Sequence, residues 1–594
     1  MMNLSLLSLS LAIAMGMHND PAAASTKQII SLVEINDLHA NLVTHKDLVL
    51  EDDDEGLQVE MRGGVARIAT EINKIRKQNP NTLVMNIGDT YHGGAEAFYS
   101  AGNAIVNPVN ALGIDVEIPG NWDFAYGPSI FFLRYTTMTK DELAQNGLPV
   151  PAINVLKPNH AILGGNVTFT IPTRAGQPVA PATMIKDING VKVGLIGITS
   201  DIVPLQSSAS AAGMAFLIGE TAYKDYINSH AQELRDAGAS IVVVMSELGI
   251  QKSKRLGDVI NAGAVDVIFA AHTHELTKKP IVTTSGTLVV EPGNDTVLGR
   301  MDVTLLDGKV DKLKWKLINI TEETPEDAAV AALVSAARAP FLNVTMPIPA
   351  PTFPAQQLRE SIANVVGHTS TRLDRRFALE SSFNNAYTDK VRAATGTQLA
   401  LAPGFRYDAI VEAELDSVAV GEVTLEDIYR FFPSPFAMAT ATATGQRIRQ
   451  LAEQGMAASF STNVFNQNGG YLWGFAGLNA TVNLAATDGA RITALATDAG
   501  LPINADATPF SITGGVTPDR ISNPSGYLYN QPGFANLQFY PNPATGSFWT
   551  NVDLLVSMLK AGQVLDGSRR SITDTNQTLF WPDADYIQPL EGVK

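Results

Sequence analysis

Apolar residues in the first half of this chain gather in short, nearly continuous runs rather than in alternation with polar ones. Residues 29–35, 83–87, 114–118, 241–245 and 265–270 are each dominated by Ile, Val, Leu, Met, Phe and Ala. A strand with one wet face alternates, so near-continuous runs of this length predict strands buried on both faces, as in the parallel sheets of α/β proteins. Each run ends in polar residues: Asp37-Leu38-His39, Gly88-Asp89, Gly120-Asn121, Ser246-Glu247 and His272-Thr273-His274. Open α/β folds place their sites just past the carboxyl ends of such strands. An extended i, i+2 spacing aims Asp37 and His39 the same way, and likewise His272 and His274.

Taken singly, an Asp after a strand is usually a helix cap and a lone His a satisfied core or surface residue. As a set of five strand ends they form the donor list of a two-metal hydrolase. Two divalent ions about 4 Å apart clamp the attacking and leaving oxygens of an in-line displacement and lower the pKa of a bound water. A carboxylate must bridge them, imidazoles suit manganese, zinc or iron, and a carboxamide oxygen ligates without adding charge. Asp89 is the candidate bridge.

The order Asp-x-His, Gly-Asp, Gly-Asn, His-x-His, with Gly194-Leu195-Ile196-Gly197-Ile198 between, resembles the calcineurin-like metallophosphoesterases, specifically the 5′-nucleotidase family. Leu288-Val289-Val290-Glu291-Pro292-Gly293 and Leu298-Gly299-Arg300 resemble the end of that family's catalytic domain, and residues 355–480 its substrate domain. The resemblance implies a four-layer α/β sandwich followed by a smaller α/β domain. It implies one ion on Asp37, His39, Asp89 and His274, and a second on Asp89, Asn121, His272 and position 247. Hydrolysis of a phosphomonoester by a hydroxide bridging the ions would follow, with Asn121 steadying the developing charge.

Three departures bear on that expectation. The family usually has His where Glu247 stands. Glu247 either ligates, leaving the ion pair one positive charge poorer, or accepts a hydrogen bond from a ligand His. The family's His and Asp dyad is replaced by Trp122 and Ala125 in Gly120-Asn121-Trp122-Asp123-Phe124-Ala125-Tyr126-Gly127, and an indole cannot shuttle a proton. His92 is the nearby candidate acid, or else a surface histidine. A Trp in that position, the Gly88-Asp89-Thr90-Tyr91-His92-Gly93-Gly94 segment, Phe383-Asn384-Asn385 and Ala402-Pro403-Gly404-Phe405-Arg406 resemble the family's thiosulfohydrolase branch, which acts on a carrier-bound cysteine S-thiosulfonate. Against that branch stands Pro433-Ser434-Pro435-Phe436. Phe436 occupies the position of the nucleotidases' base-stacking aromatic, unless it is a core residue. Met438 stands where a purine-reading Asn is usual. Arg406 is the anion-binding candidate of the second domain.

A net charge of −17 argues against a nucleic-acid polymer as partner, because phosphate contacts need clustered Lys and Arg. It leaves small anionic substrates open, nucleotides or other phosphoesters among them. The apolar stretch from Leu4 to Met17 followed by Pro21-Ala22-Ala23-Ala24-Ser25 reads as a signal peptide over residues 1–25 and predicts a periplasmic or secreted protein. No segment is expected to span a membrane, and with no cysteine no thiol nucleophile is possible. The acidic run at residues 51–56 reads as a solvated loop or, less simply, a calcium site. A catalytic domain over residues 26–335, a stiff proline-rich linker over 336–354 and a second domain over 355–594 complete the expected organisation.

Overall fold

The computed structural model describes residues 26–50, 57–406, 409–413, 421–516, 532–575 and 587–588. The expected signal peptide and the acidic run at 51–56 lie outside the described residues.

Two six-stranded sheets form the first unit. One runs in the order Lys309–Asn319, Val297–Leu306, Lys27–Asn36, Thr82–Ile87, Val116–Ile118, Ala161–Ile162. The other runs Ile281–Val282, Leu288–Val290, Val267–Ala270, Ile241–Ser246, Val191–Ile198, Thr183–Ile188. The strands expected from the apolar runs are central and parallel in each, which explains the missing alternation. Leu32 packs between the sheets with Leu83, Val243 and Phe269. Its neighbour Val33 points the opposite way, into a core shared with Ile68, Ile72 and Phe131 of the covering helices. The second sheet is covered outside by helices Glu220–Asp236 and Ile250–Val259, whose Ile227 and Leu256 meet Val242 and Val244. The result is the expected four-layer α/β/β/α sandwich. Each fully buried Leu, Ile or Val in its cores contributes roughly 1.5–3 kcal/mol of transfer free energy.

The second unit is also α/β. Its five-stranded sheet runs Gly474–Ala476, Leu399–Ala402, Pro509–Val516, Ala437–Thr444, Phe534–Phe539. Helix Ser382–Thr395 packs on the face bearing Ala400 and Ala402, and helix Gly445–Phe460 on the face bearing Leu399 and Leu401.

Between the units the proline-rich stretch is not a free spacer. The connecting helix, capped by the Asp327 side chain, spans Ala328–Leu342 and so runs past residue 336. Strands Ile348–Ala350 and Phe353–Leu358 then pair as a hairpin, with Ala350 and Phe353 buried in the second unit's core. Arg338 on that helix reaches Glu96 of the first unit at 2.7 Å and Glu426 of the second at 2.6 Å. Arg376 pairs with Asp47 at 2.8 Å, both buried. Among the described residues no helix is long and apolar enough to cross a membrane.

Candidate metal centre

The loops after the central strands bring the candidate ligands together at one cleft of about 680 Å³, lined by His39, Asp89, Asn121, His272 and His274, with Asp37 and Glu247 fully buried beside them. Asp37, His39 and His274 form one buried group and Asp89, Glu247 and His272 a second, each with its ligand atoms within 4.8 Å of one another. His274 Nε2 lies 3.2 Å from Asp37 Oδ1 and 3.1 Å from His39 Nε2. His39 Nε2 is 3.8 Å from Asp89 Oδ2, which links the two groups. Asn121 lines the same cleft.

Backbone strain marks these loops. Asp37, His39, Asp89, His272 and His274 all have φ between 41° and 82°, a left-handed region that costs non-glycine residues and persists where surrounding structure enforces it. The glycines of Gly-Asp and Gly-Asn are required by close approach. A Cβ on Gly120 would stand 2.2 Å from Asp89 Oδ1, and one on Gly88 2.6 Å from Glu247 Oε2.

Two buttresses escaped the sequence reading. The Asp123 carboxylate accepts the backbone N–H groups of Tyr91 and Gly120, both at 2.9 Å, and of Thr90 at 3.2 Å. It thereby staples the Asp89 loop to the Asn121 loop. Glu291 accepts from Thr273 Oγ1 at 2.7 Å and Glu275 N at 3.1 Å, fixing the His272–His274 loop. The available signal was position: Asp123 sits two residues past Asn121, and Glu291 directly follows the strand Leu288–Val290.

The donor set fits divalent cations. Both Glu247 oxygens and both Asn121 amide atoms are buried without a hydrogen-bond partner, and leaving such a group unsatisfied costs about 1–3 kcal/mol. Oxygen and imidazole donors in these numbers suit a borderline divalent ion. Burial, then repulsion from Asp89 and Asp37, pushes the Glu247 carboxyl well above the usual range. Burial, then Asp37 and Asp123, does the same to Asp89. Burial holds the His39 and His272 imidazoles down at about 3, neutral and ready to ligate. Metal uptake must therefore displace protons from the raised carboxyls, and affinity should climb as pH rises through their titration. Calorimetry in buffers of different ionisation enthalpy measures that release, and proton-independent binding would contradict it.

The remaining candidates stand as follows. Glu247 Oε1 is 3.7 Å from His272 Nδ1, too far for a hydrogen bond. His92 is 1% exposed rather than a surface residue. Its ring stacks behind Trp122 with centroids 4.9 Å apart, its Nε2 lies 3.2 Å from Ser434 Oγ, and burial lowers it to about 3. Phe436 lines the cleft but is pressed so closely on Gly515 that a Cβ there would stand 2.0 Å from its ring. Met438 is fully buried. Arg406 also lines the cleft, with Nη1 donating to Thr273 O at 2.6 Å. Phe405 meets Trp122 edge-on, centroids 5.0 Å apart, across the domain boundary.

Fold and site together define the class, a metallophosphoesterase-type sandwich carrying a second α/β domain. Residues 30–276 match the calcineurin-like phosphoesterase family and residues 365–511 the 5′-nucleotidase C-terminal domain. The chain thus pairs a calcineurin-like phosphoesterase domain with a 5′-nucleotidase C-terminal domain, an organisation of metal-dependent hydrolases. It is 24% identical over 452 residues to the trifunctional nucleotide phosphoesterase protein YfkN of Bacillus subtilis, a match covering 72% of this chain and 28% of that protein. Among solved structures, the 5′-nucleotidase precursor of Thermus thermophilus superposes with a TM-score of 0.71 at 20% identity, covering 92% of this chain and 100% of that one. The sulfate thiohydrolase SoxB of Thermus thermophilus superposes with a TM-score of 0.72 at 18% identity, covering 93% and 98%. At these identities the structural likeness is one of fold.

Proposed function

We propose that the chain hydrolyses phosphomonoesters of the 5′-nucleotide type outside the cytoplasm, in a centre of two divalent ions (Mn, Zn or Fe) held by Asp37, His39, Asp89, Asn121, Glu247, His272 and His274. The observation that carries this reading is the convergence of two buried ligand groups at one cleft, which His39, His274, Asp89 and His272 line. Ions held there would supply Lewis acidity and an activated water for in-line displacement. The chain's own residues supply the rest. Asp89 is held by the Trp122 backbone N–H, which donates to Oδ1 at 2.7 Å. Asn121 presents its amide to the developing charge. Phe405, Phe436 and Trp473 give the cleft aromatic walls for the substrate's far end, and Trp122 with Phe405 restricts water at the reacting centre.

One observation favours a second reading. Trp122, in place of an acid, pairs with Phe405 of the Pro403-Gly404-Phe405-Arg406 segment, an arrangement suited to a carrier-borne cysteine S-thiosulfonate. Attack of water on its terminal sulfonate releases sulfate and leaves a persulfide on the cysteine, a sulfur anion that, like a thiolate of pKa about 8.5, departs without a proton donor.

The test is full-length protein stripped by a chelator and reloaded with Mn²⁺, Zn²⁺ or Fe²⁺. Phosphate release from AMP and aryl phosphates should vanish on stripping and return on reloading. Turnover that persists without metal would overturn the metal mechanism. Cleavage of a carrier-bound thiosulfonate with no phosphomonoester turnover would replace the first reading by the second.

A further inference from the structure

The loop carrying His272 and His274 is gripped at two points by the other domain. His272 Nε2 lies 3.2 Å from the carbonyl oxygen of Asn468. A carbonyl oxygen only accepts, so this ring nitrogen carries the proton. Nδ1, which faces Glu247, is then the nitrogen with a lone pair for a cation. One residue along, Arg406 Nη1 donates to Thr273 O at 2.6 Å and lies 3.4 Å from Glu275 Oε1. Arg406 Nε donates to Gly469 O, and the guanidinium sits over the Tyr471 ring, 4.5 Å from its centroid. Arg406 thus ties the segment that presents the Asn468 carbonyl to the segment that presents His272. The fit has no slack, since a Cβ on Gly469 would stand 1.9 Å from His272 Nε2.

We propose that Arg406 and the Asn468 carbonyl are positioning groups for His272, so that one of the two metal sites depends on the second domain. The inference rests on the two-metal reading of the centre but concerns binding rather than turnover. An imidazole whose distal N–H is bonded to a carbonyl is fixed in tautomer and ring orientation and becomes a more basic ligand. Here that contact comes from 196 residues away in sequence and is itself held by the Arg406 fork. The two sites are therefore unequal. His274 is braced by Asp37 and His39 within its own domain, whereas His272 owes its orientation to a neighbour in the second domain. This assigns Arg406 to the metal-ligand loop in place of the substrate.

Two substitutions disturb this grip by different means. Arg406→Gln removes the fork, and Gly469→Ala drives a methyl group into the His272 ring while keeping the Arg406 side chain. Isothermal titration of the full-length chain with Mn²⁺ should show two equivalents in wild type. In both variants one equivalent should keep its affinity while the other weakens about 10–100-fold. Arg406→Lys, which keeps the charge but loses the fork, should behave as Arg406→Gln does. Circular dichroism of the metal-free variants checks that they fold, and either variant suffices if the other does not. Two equivalents at wild-type affinity in the folded variants, with only the KM for AMP raised in Arg406→Gln, would overturn the proposal and return Arg406 to the substrate. A wild-type chain that takes up no Mn²⁺ would instead overturn the two-metal reading beneath it.

Discussion

Asp89→Asn is expected to abolish hydrolysis while raising the melting temperature of the metal-free protein. Asp89 is 1% exposed and sits between the two ligand groups, so it is the carboxylate placed to neutralise both ions at once. Asn keeps the oxygen that accepts from Trp122 N but not the charge. A loss of kcat/KM of ~10³ or more, about 4 kcal/mol of barrier, is the expected scale. Stability should move the other way. Burial, then Asp37 and Asp123, holds the Asp89 carboxyl well above its ordinary value. A folded-state pKa raised above the unfolded one means that stability is full below the unfolded pKa and falls as pH rises beyond it. Asn has no such loss, so the metal-free variant should melt above metal-free wild type, with the gap widening from acidic toward neutral pH. Elemental analysis, turnover and thermal melting decide the matter. Full activity and metal content in Asp89→Asn would sink the bridging role, and an unchanged metal-free melting temperature would sink the charge argument.

What was legible in the sequence follows from what is local. The strands Lys27–Asn36, Thr82–Ile87 and Ile241–Ser246 could be read because burial on both faces leaves a composition signature that needs no partner. Their terminal Asp, Asn, Glu and His residues could be read as one set because parallel strands deliver their carboxyl ends to a common edge. Contacts between the domains left no such trace. His92 looked like a surface residue or an acid because nothing nearby in sequence announces that Trp122, Tyr126 and Ser434 enclose it. Arg406 reads as an anion-binding candidate because its Pro-Gly-Phe-Arg segment resembles a family motif, while its carbonyl partner Thr273 lies 133 residues away. The prolines at 347, 349, 351 and 354 signalled stiffness correctly in kind. Whether a stiff segment stands free or pairs as a hairpin was decided by the burial of Ala350 and Phe353 in a core assembled from far along the chain.

The same enclosure of His92 sharpens a prediction about chemistry: the enzyme should cleave p-nitrophenyl phosphate ~10²–10⁴-fold more efficiently than AMP, the range a positioned acid supplies. An alkoxide leaving group needs a proton in the transition state and an aryl oxide hardly does. Among the described residues lining the cleft, His39, His272 and His274 belong to the ligand groups. Tyr126 donates its hydroxyl to Tyr91 O and burial pushes it further up. Tyr471 is engaged by Arg406. Trp122 lines the cleft beside Asn121 and cannot give up its indole proton at neutral pH. His92 stacks on that indole and is not among the residues lining the cleft, and burial lowers it to about 3, so its expected role is to hold Trp122 in place. His92→Ala should therefore depress turnover of both substrates by a similar factor, through a loosened Trp122, and leave the dependence on leaving-group pKa unchanged. The measurement is kcat/KM across a series of phosphomonoesters with leaving groups of graded pKa, for both proteins. Equal rates on AMP and p-nitrophenyl phosphate in wild type would mean that an acid stands at the site after all. A slope that steepens in His92→Ala would identify His92 as that acid, reaching the leaving group by a movement of Trp122.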